Sequence, residues 1–316
     1  MHYQMTLVAI TGATGFLGSA IVAAFSPNKN VKVRVLSRTH HRARPTSSDM
    51  VYGDITEISA CEQFVKNANI VIHAAGLLRT NDKIALQRVN VEGTANISRA
   101  AYLAGVSRFI YLSSTGVYGA PGIAVDERSP HQPSNPYEKS KSAAEKLVTF
   151  EWGESGCVVV QPSNIIGIGH PLKPLCRFLN HIKNNKRVYH VGAWSNYVGV
   201  NDVARVVVAA SLLNDVPPSI IVNVPLPLDD LADLSAQAVG ASANCVKLPE
   251  IIGQCLMPAT KFASQVMPRL DRLIALMNKT RFMSLHDDWL QRYNIKPKLL
   301  PVLCEMAEAY GIGTSV

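Results

Sequence analysis

Apolar residues in the first two thirds of the chain form short runs rich in β-branched residues, and these alternate with segments of helical periodicity. Several runs are apolar on both faces, as is typical of parallel strands covered by helices on each side. The predicted strands are Leu7–Thr11, Val31–Leu36, Met50–Tyr52, Ile70–His73, Arg108–Ser113 and Val158–Gln161. The predicted helices are Gly15–Phe25, Glu57–Val65, Ile84–Leu103 and Tyr137–Trp152. This alternation predicts an α/β fold with a doubly wound parallel sheet.

After Pro162 the pattern changes to helical segments separated by prolines. The segments are Leu175–Asn184, Val203–Leu213, Leu228–Val239, Ile251–Met277, Leu285–Tyr293 and Leu300–Tyr310. We therefore expect a nucleotide-binding domain over 1–167 and a smaller, mostly helical substrate domain over 168–316, with 196–226 returning to the first. The segment Ile251–Met277 is read as core packing or, alternatively, as an apolar lid over the substrate.

Composition narrows the class of protein. The 316 residues are 47% apolar, and the longest apolar run, Val206–Leu213, is far shorter than the roughly 20 residues of a membrane span. The first residues show no export signal, so a cytoplasmic protein is expected. A net charge of +8 is spread over short basic clusters, which favours an anionic small molecule over nucleic acid as the partner. The six cysteines have no metal-ligand spacing, so no metal site is expected.

A glycine-rich turn follows the first predicted strand. It reads Gly12-Ala-Thr-Gly15-Phe-Leu-Gly18 and leads into a helix. Gly12 permits a tight turn, Gly15 lets the backbone approach a pyrophosphate, and Gly18 allows the helix to pack closely on the strand. The free N–H groups of the helix N-terminus attract the same pyrophosphate. The turn predicts dinucleotide binding.

The end of the second predicted strand discriminates between cofactors. An acidic residue there would bind the ribose of NAD, whereas arginine favours the 2′-phosphate of NADP. The chain has Arg38, followed by His40, His41, Arg42 and Arg44, and no carboxylate before Asp49. NADP is therefore preferred and NAD is possible, although a solvated basic loop is an alternative. Asp54 is placed to meet the adenine or to cap the following helix.

Tyr137 and Lys141 begin a predicted helix and are separated by one turn, about 6 Å along its axis. A tyrosine is a poor base at neutral pH, but a neighbouring ammonium would lower its pKa and permit proton exchange with an alcohol or ketone. Ser113 and Ser114 end a predicted strand, where doubly wound folds place ligands. A hydroxyl at that edge can bind the substrate oxygen that Tyr137 protonates.

These motifs together resemble the extended short-chain dehydrogenase/reductases, of the NAD-dependent epimerase/dehydratase family, which have a Rossmann-type fold. The resemblance covers about residues 5 to 213. The matching pieces are Thr11-Gly-Ala-Thr-Gly-Phe-Leu-Gly18, Gly53-Asp-Ile55, His73-Ala-Ala-Gly76, Asn90-Val-Glu-Gly-Thr94, Tyr111-Leu-Ser-Ser-Thr-Gly-Val-Tyr-Gly119, Tyr137-Glu-Lys-Ser-Lys141 and Gln161-Pro-Ser-Asn164.

The resemblance implies a role for each matching residue. Tyr137 is the acid/base, Lys141 also holds the nicotinamide ribose, and Ser114, chosen over Ser113, orients the substrate oxygen. The implied cofactor-binding residues are Gly12, Thr14, Gly15, Phe16, Leu17, Arg38, Asp54, Ile55, Ala74, Ala75, Gly76, Asn90, Tyr137, Lys141, Pro162 and Ser163. Asn90 is read as a structural residue or a relay, and Asn164 is a candidate substrate contact.

The chain departs from the family pattern where nucleotide-sugar enzymes often carry a diphosphate-binding arginine, since it has Ser195 there. Arg177, Lys183 or Arg187 would have to supply that charge, and Arg177 is preferred because a guanidinium fits phosphate. Asp202 is expected to cap the helix Val203–Leu213.

The leading hypothesis is hydride transfer at an alcohol or ketone carbon of a nucleotide-linked sugar, by 4-keto reduction or epimerisation. The alternative is an NADP-dependent reductase or dehydrogenase for a hydrophobic ketone or alcohol of the dihydroflavonol or 3β-hydroxysteroid type. A non-catalytic cofactor sensor or RNA-associated protein is a minor alternative. A homodimer is possible.

Overall fold

A computed structural model describes residues 5–39, 49–78, 80–153, 156–169, 173–249, 251 and 278–312. The strands are β1 (Thr6–Thr11), β2 (Val31–Ser37), β3 (Asp49–Tyr52), β4 (Ile70–His73), β5 (Arg108–Leu112), β6 (Ala124–Val125), β7 (Cys157–Pro162), β8 (Asn164–Ile166), β9 (Val188–His190), β10 (Trp194–Gly199), β11 (Ser219–Val222), β12 (Val224–Pro227), β13 (Cys245–Lys247) and β14 (Arg281–Phe282).

The α-helices are α1 (Phe16–Phe25), α2 (Ile58–Val65), α3 (Lys83–Leu86), α4 (Gly93–Leu103), α5 (Pro136–Trp152), α6 (Lys173–Lys183), α7 (Val200–Leu212), α8 (Leu228–Val239), α9 (Asp287–Arg292) and α10 (Leu299–Ala309). A π-helical turn (Gln87–Glu92) joins α3 to α4, and a 3₁₀ turn (Thr115–Tyr118) follows β5.

The central sheet has seven parallel strands in the order β11-β7-β5-β4-β1-β2-β3. The predicted doubly wound parallel sheet is confirmed. Strand order reverses between β1 and β4, where Thr11 is paired with His73. The crevice at such a reversal is where doubly wound folds bind ligands, so the carboxyl ends of β1 and β4 define the site.

Side chains that alternate along each strand fill two apolar layers. Ile10 packs on one face against Phe25 of α1 and Val203 of α7. Ala9 packs on the other face with Phe64 of α2, Ile97 of α4 and Val148 of α5. Burial of both faces explains why these strands read as continuous apolar runs.

The chain beyond β7 divides its elements between this sheet and smaller ones. Strand β11 extends the seven-stranded sheet beside β7, whereas β8, β10 and β12 form a separate three-stranded sheet. Helices α6, α8 and α10 share a third apolar cluster, which includes Leu179, Leu231 and Leu303. The five described helices here fit the predicted segments, but strands β8–β14 were missed. The predicted boundary at residue 167 stays a prediction, and most of Ile251–Met277 lies outside the described residues.

Two predicted helix caps are wrong. Helix α7 begins at Val200, so Asp202 lies in its first turn, where the carboxylate accepts hydrogen bonds from Arg205 and from the backbone N–H of Lys298. Asp54 precedes α2 by a full turn and accepts from the N–H of Thr56 at 2.9 Å. Within the described ranges, no helix is long and apolar enough to cross a membrane.

Candidate functional site

The glycine turn is held directly against the loop that follows β4. Gly12 has a φ of +69°, and a Cβ there would lie 2.6 Å from the backbone of Ala74 and Ala75. A Cβ on Gly18 would lie 2.1 Å from the Gly12 oxygen, so α1 can approach β1 this closely only with glycine. Thr14 and Gly15 are exposed at the tip of the turn. An open turn at the N-terminus of α1 fits a pyrophosphate.

Arg38 leaves the carboxyl end of β2 with its side chain 71% exposed. Its Nη1 lies 3.9 Å from Oδ2 of Asp54, which follows β3. The two residues thus border the crevice from neighbouring strands, and Ile55 is buried behind them. No acidic side chain occupies the end of β2, where Ser37 is buried and donates to the backbone of Thr39. The neighbouring basic residues 40–44 lie outside the described part of the chain.

A buried chain of hydrogen bonds ties the loop after β4 to the helices behind it. The N–H of Ala75 donates to Thr11 Oγ1 at 3.2 Å, and Thr11 donates to His73 Nδ1 at 2.7 Å. His73 Nε2 lies 3.0 Å from Thr94 Oγ1, which donates to the Asn90 carbonyl at 2.6 Å. These donors assign the proton to Nε2. Burial lowers the pKa of His73 to about 3, so the ring is neutral.

Asn90 lies in the π-helical turn and clamps two parts of the site together. Its Oδ1 accepts from the N–H of Leu77 at 2.7 Å, and its Nδ2 donates to the Leu77 carbonyl at 3.1 Å and to Ser140 Oγ at 3.0 Å. Gly76 lies beside the amide, because a Cβ there would be 3.3 Å from Oδ1. Asn90 therefore fixes the loop after β4 relative to α5, which supports its structural role.

Ser114 and Tyr137 lie near one another at the carboxyl edge of the sheet, where Ser114 acts to lower the pKa of the phenol. Ser114 Oγ accepts from the N–H of Gly116 at 3.1 Å, which leaves its hydroxyl proton for a hydrogen bond to another oxygen. Asn135 and Glu138 form a capping box that starts α5 just before Tyr137. Burial raises the pKa of Tyr137 to about 12, Glu138 adds to the rise, and Ser114 opposes it. The expected lowering is therefore wrong for this state of the protein.

Lys141 lies one turn further along α5 and is buried. Its Nζ donates to the Leu112 carbonyl and lies 4.4 Å from the centre of the Tyr111 ring. Burial lowers the pKa of Lys141 to about 8, and the charge of Glu145 acts against this shift. Among the described residues the ammonium donates to this one carbonyl, which leaves N–H donors for a ligand.

The cleft beside Tyr137 has a volume of about 370 Å³. It is lined by Leu78, Thr80, Asn81, Asn135 and Tyr137. Leu17 is half-buried, and Phe16 lines a groove of about 580 Å³ with Gly167 and Val200. Within the described ranges, no cluster of three or more His, Cys, Asp or Glu side chains is placed to hold a metal ion.

The end of β7 is joined to more distant segments by amide side chains. Pro162 is buried, while Ser163 Oγ donates to Asn223 Oδ1 at 2.6 Å. Asn164 donates to the Asn196 carbonyl at 2.9 Å. Asn196 in turn donates to the Thr280 carbonyl at 2.8 Å. This network brings β10 and β14 to the carboxyl edge of the main sheet.

A cation missed by the sequence analysis lies over the ring of Trp194, the residue before Ser195. The guanidinium of Arg281 on β14 lies 5.0 Å from the centre of the Trp194 ring. Ser195 itself is buried and donates to the Leu226 carbonyl at 3.1 Å. Arg177 is exposed on α6. Nothing in the local sequence of Arg281 signals this placement, because β14 is two residues long.

The sequence model of the NAD dependent epimerase/dehydratase family matches residues 8–224. The chain belongs to this family. The resemblance inferred from its motifs is thereby confirmed, and all of the glycine turn, Ser114, Tyr137 and Lys141 lie inside the matched region. The family is NAD dependent, which supports a nicotinamide dinucleotide as the cofactor.

Curated relatives cover two kinds of chemistry. The chain is 32% identical over 202 residues to the dTDP-D-glucose 4,6-dehydratase of Mus musculus, covering 57% of this chain and 56% of the relative. It is 34% identical over 166 residues to the ceramide reductase of Caulobacter vibrioides, covering 52% of this chain and 47% of the relative. The chain thus matches about half the length of these relatives.

Among solved structures, the Bordetella bronchiseptica enzyme WbmG in complex with NAD and UDP has a TM-score of 0.70 and 19% identity. The alignment covers 98% of this chain and 96% of that one. The likeness therefore extends through the smaller sheets and helices beyond β7, and it establishes the fold of this epimerase/dehydratase family member.

Sequence reasoning also missed the side chains that surround Lys141. Tyr111 is fully buried beneath the ammonium, and Glu145 is buried one turn beyond it on α5. The spacing of Tyr137, Lys141 and Glu145 at intervals of four residues was available as a signal.

Proposed function

We propose that the protein is a nicotinamide-dependent oxidoreductase or epimerase that acts on an alcohol or ketone carbon, with Ser114, Tyr137 and Lys141 as its catalytic residues. The observation that carries the proposal is the placement of Ser114, of Tyr137 in the cleft and of a buried Lys141 together at the edge of the sheet where the glycine turn opens. The family membership supports it.

The residues of the crevice fit a dinucleotide. Gly12, Thr14 and Gly15, with Phe16 and Leu17, would hold the pyrophosphate at the start of α1, because they form an open turn at a helix N-terminus. The loop Ala74–Gly76 and residues Pro162 and Ser163 would line the nicotinamide half. When bound, the cofactor supplies or accepts the hydride.

The protein's own residues would handle the proton. In reduction, the Tyr137 hydroxyl donates its proton to the carbonyl oxygen of the substrate, while Ser114 donates a hydrogen bond to the same oxygen. The raised pKa of Tyr137 keeps that proton on the phenol until the substrate oxygen gains charge. Lys141 stabilises the resulting phenolate and would bind the ribose. In oxidation the same groups act in reverse.

NADP is the proposed cofactor. Arg38 is exposed at the end of β2, and no carboxylate occupies the position where NAD would find its ribose partner. The 2′-phosphate would replace Asp54 as the neighbour of the guanidinium, since phosphate accepts two parallel hydrogen bonds from arginine. Asp54 and Ile55 would then meet the adenine.

A nucleotide-linked sugar is the proposed substrate. Two similar proteins support this proposal. One is the mouse dTDP-D-glucose 4,6-dehydratase, and the other is WbmG, whose solved complex contains UDP. The diphosphate needs a cation, and two are proposed. Arg177 is proposed from the sequence, and Arg281 is proposed because its guanidinium lies over the ring of Trp194, next to Ser195 in the chain. Asn164 is a further proposed substrate contact.

A hydrophobic ketone or alcohol is the second candidate. Two observations favour it: Ser195 stands where nucleotide-sugar enzymes often carry arginine, and the ceramide reductase of Caulobacter vibrioides is 34% identical to the matched half of the chain. The polar lining of the cleft by Thr80, Asn81 and Asn135 weighs against it.

A thermal-shift screen separates the two candidates. The protein with NADPH is tested against nucleotide sugars and against apolar ketones, and a ligand at 100 times its dissociation constant stabilises the fold by about 2.7 kcal/mol. Stabilisation by nucleotide sugars alone supports the first candidate, and stabilisation by apolar ketones alone supports the second. Stabilisation by neither cofactor nor ligand would overturn the enzyme proposal.

Self-association is also proposed. Leu103 at the end of α4 is 66% exposed and Phe150 near the end of α5 is 91% exposed, and Tyr102 and Trp152 bring these helix ends together with rings 5.6 Å apart. A homodimer would cover these apolar side chains. Light scattering of the wild type and of Phe150→Lys tests this, since only the variant should be monomeric.

A further inference from the structure

The carboxylate of Glu145 is buried one helical turn from Lys141, on the same face of α5, with 7% of the residue exposed. Two fixed groups donate to it. Ser113 Oγ donates from the end of β5, and Gln161 Nε2 donates from β7 at 2.9 Å. Gln161 is itself held by Tyr118 at 2.9 Å and by Ser219 at 3.0 Å. These hydrogen bonds hold the carboxyl group in one place.

The other titratable groups around this pair come from every element that packs on it. They are His73 on β4, Tyr111 on β5, Tyr118 in the 3₁₀ turn, His131 before α5, Tyr137 on α5 and Cys157 on β7. Burial raises the pKa of the thiol and the phenols and lowers that of His73, so these five are uncharged near neutral pH. His131 Nε2 lies 3.4 Å from Glu145 Oε1.

Lys141 needs such a partner. Its ammonium is buried, and within the described part of the chain it contacts one carbonyl and one aromatic face. Burial lowers its pKa to about 8, and Glu145 already opposes that shift. Without the carboxylate, the amine would lose its proton closer to neutral pH. A neutral amine stabilises neither a phenolate nor a developing negative charge on the substrate.

We infer that Glu145 is a positioning residue that keeps Lys141 protonated under the conditions of the reaction. The inference rests on the proposed function, in which Lys141 binds the nicotinamide ribose and supports Tyr137. Glu145 touches neither the substrate nor the reacting atoms, and it acts only through the charge of Lys141. The hydrogen bonds from Ser113 and Gln161 hold the Glu145 carboxylate at a fixed place.

The test is the affinity for NADPH as a function of pH, measured by the fluorescence of the bound dinucleotide. The wild type should lose affinity as pH rises through the pKa of Lys141, about 8. In Glu145→Gln the midpoint of this loss should fall by about one pH unit, the shift that about 1.4 kcal/mol of lost interaction produces. Glu145→Met removes the charge without leaving a buried amide, and the same shift is expected.

Glu151→Gln is the matched control. Glu151 lies on the same helix, accepts from Ser98 and lies 3.6 Å from Arg99, but it is further from Lys141. It should keep the wild-type midpoint, and circular dichroism at each pH identifies any variant that is unfolded. A wild-type midpoint in the folded Glu145 variants, or an equal shift in the control, would overturn the inference.

Lys141→Met distinguishes this inference from the proposed function. If the loss of affinity with rising pH disappears in Lys141→Met, Lys141 is the titrating group and the Glu145 variants test the inference alone. If Lys141→Met retains the wild-type profile, Lys141 does not bind the ribose, and both the assignment of Lys141 and the inference fail.

Discussion

The Lys141 ammonium lies over the Tyr111 ring, 4.4 Å from its centre, and donates to the backbone carbonyl of the next residue, Leu112. Strand β5 thus supplies an aromatic face and a carbonyl to one cation, and Ser113 and Ser114 follow it directly. The contacts of Lys141 and the hydroxyl proposed to bind the substrate oxygen are therefore supplied by consecutive residues.

The burial of Lys141 has a measurable cost in stability. Its pKa is lowered to about 8 in the folded protein from 10.5, so the unfolded chain binds more protons between these values and stability should rise with pH there. We expect the wild type to gain about 2 kcal/mol relative to Lys141→Met between about pH 8 and pH 10. Urea unfolding of both proteins at several pH values measures the difference. If the free energy of unfolding depends on pH equally in the two proteins, the burial of a charged Lys141 is contradicted.

His73 should make the fold sensitive to acid. Its pKa is lowered by burial to about 3 from 6.5, so the unfolded chain binds more protons between these values and stability falls as the pH falls through them. The loss should approach about 1.4 kcal/mol per pH unit. The residue in His73→Gln cannot titrate, so the slope of its unfolding free energy against pH should be smaller by that amount between about pH 6 and pH 4. Equal slopes in the wild type and in His73→Gln would contradict the prediction, because they would show that His73 is protonated in the folded protein.

The choice of cofactor should depend on Arg38. Removing its guanidinium should weaken NADPH binding by about 1.5–3 kcal/mol, the contribution of a hydrogen bond to a charged group, and leave NADH binding almost unchanged. Titration calorimetry of Arg38→Ala with both dinucleotides measures the two affinities. Arg34→Ala is a useful comparison, because Arg34 bonds Asp49 and the backbone of Phe64 instead of facing the crevice. An equal loss for both cofactors would contradict a contact with the 2′-phosphate.

The substrate diphosphate should depend on Arg281 more than on Arg177. Arg281→Ala is expected to raise the Michaelis constant for a nucleotide sugar about tenfold or more with little change in turnover, since uniform binding is lost. Arg177→Ala should have a smaller effect, because an exposed cation is screened by salt. Neither change should alter the kinetics of a neutral ketone. A rise confined to Arg177→Ala would place the diphosphate on α6 instead.

The sequence predicted the main sheet well because both faces of β1, β4, β5 and β7 are covered. Continuous apolar runs such as Ile70–His73 have few other interpretations in a chain of this length. Several strands beyond β7 were missed for the opposite reason. Strand β10 mixes polar and aromatic residues, and β14 has only two residues, so each depends on a distant partner rather than on its own pattern.

The sequence predicted the parts of the candidate site that have a local motif and missed the parts that depend on buried tertiary contacts. The glycine turn and the spacing of Tyr137 and Lys141 are local signals that the sequence displays. One periodic pattern over 84–103 predicted a single helix and hid the π-helical turn that places Asn90 against Leu77 and Ser140. The pKa of Tyr137 depends on burial, which spacing cannot show. Arg281 and Glu145 depend on tertiary contacts across the chain.

Proton transfer by Tyr137 is tested most directly by Tyr137→Phe. Product formation from the stabilising nucleotide sugar or ketone and NADPH is followed by mass spectrometry, and NADPH affinity is measured on the same samples. We expect the variant to lose about 10²-fold or more in turnover, as for loss of a general acid, while its affinity for NADPH stays close to that of the wild type. Turnover within about tenfold of the wild type would contradict the mechanism.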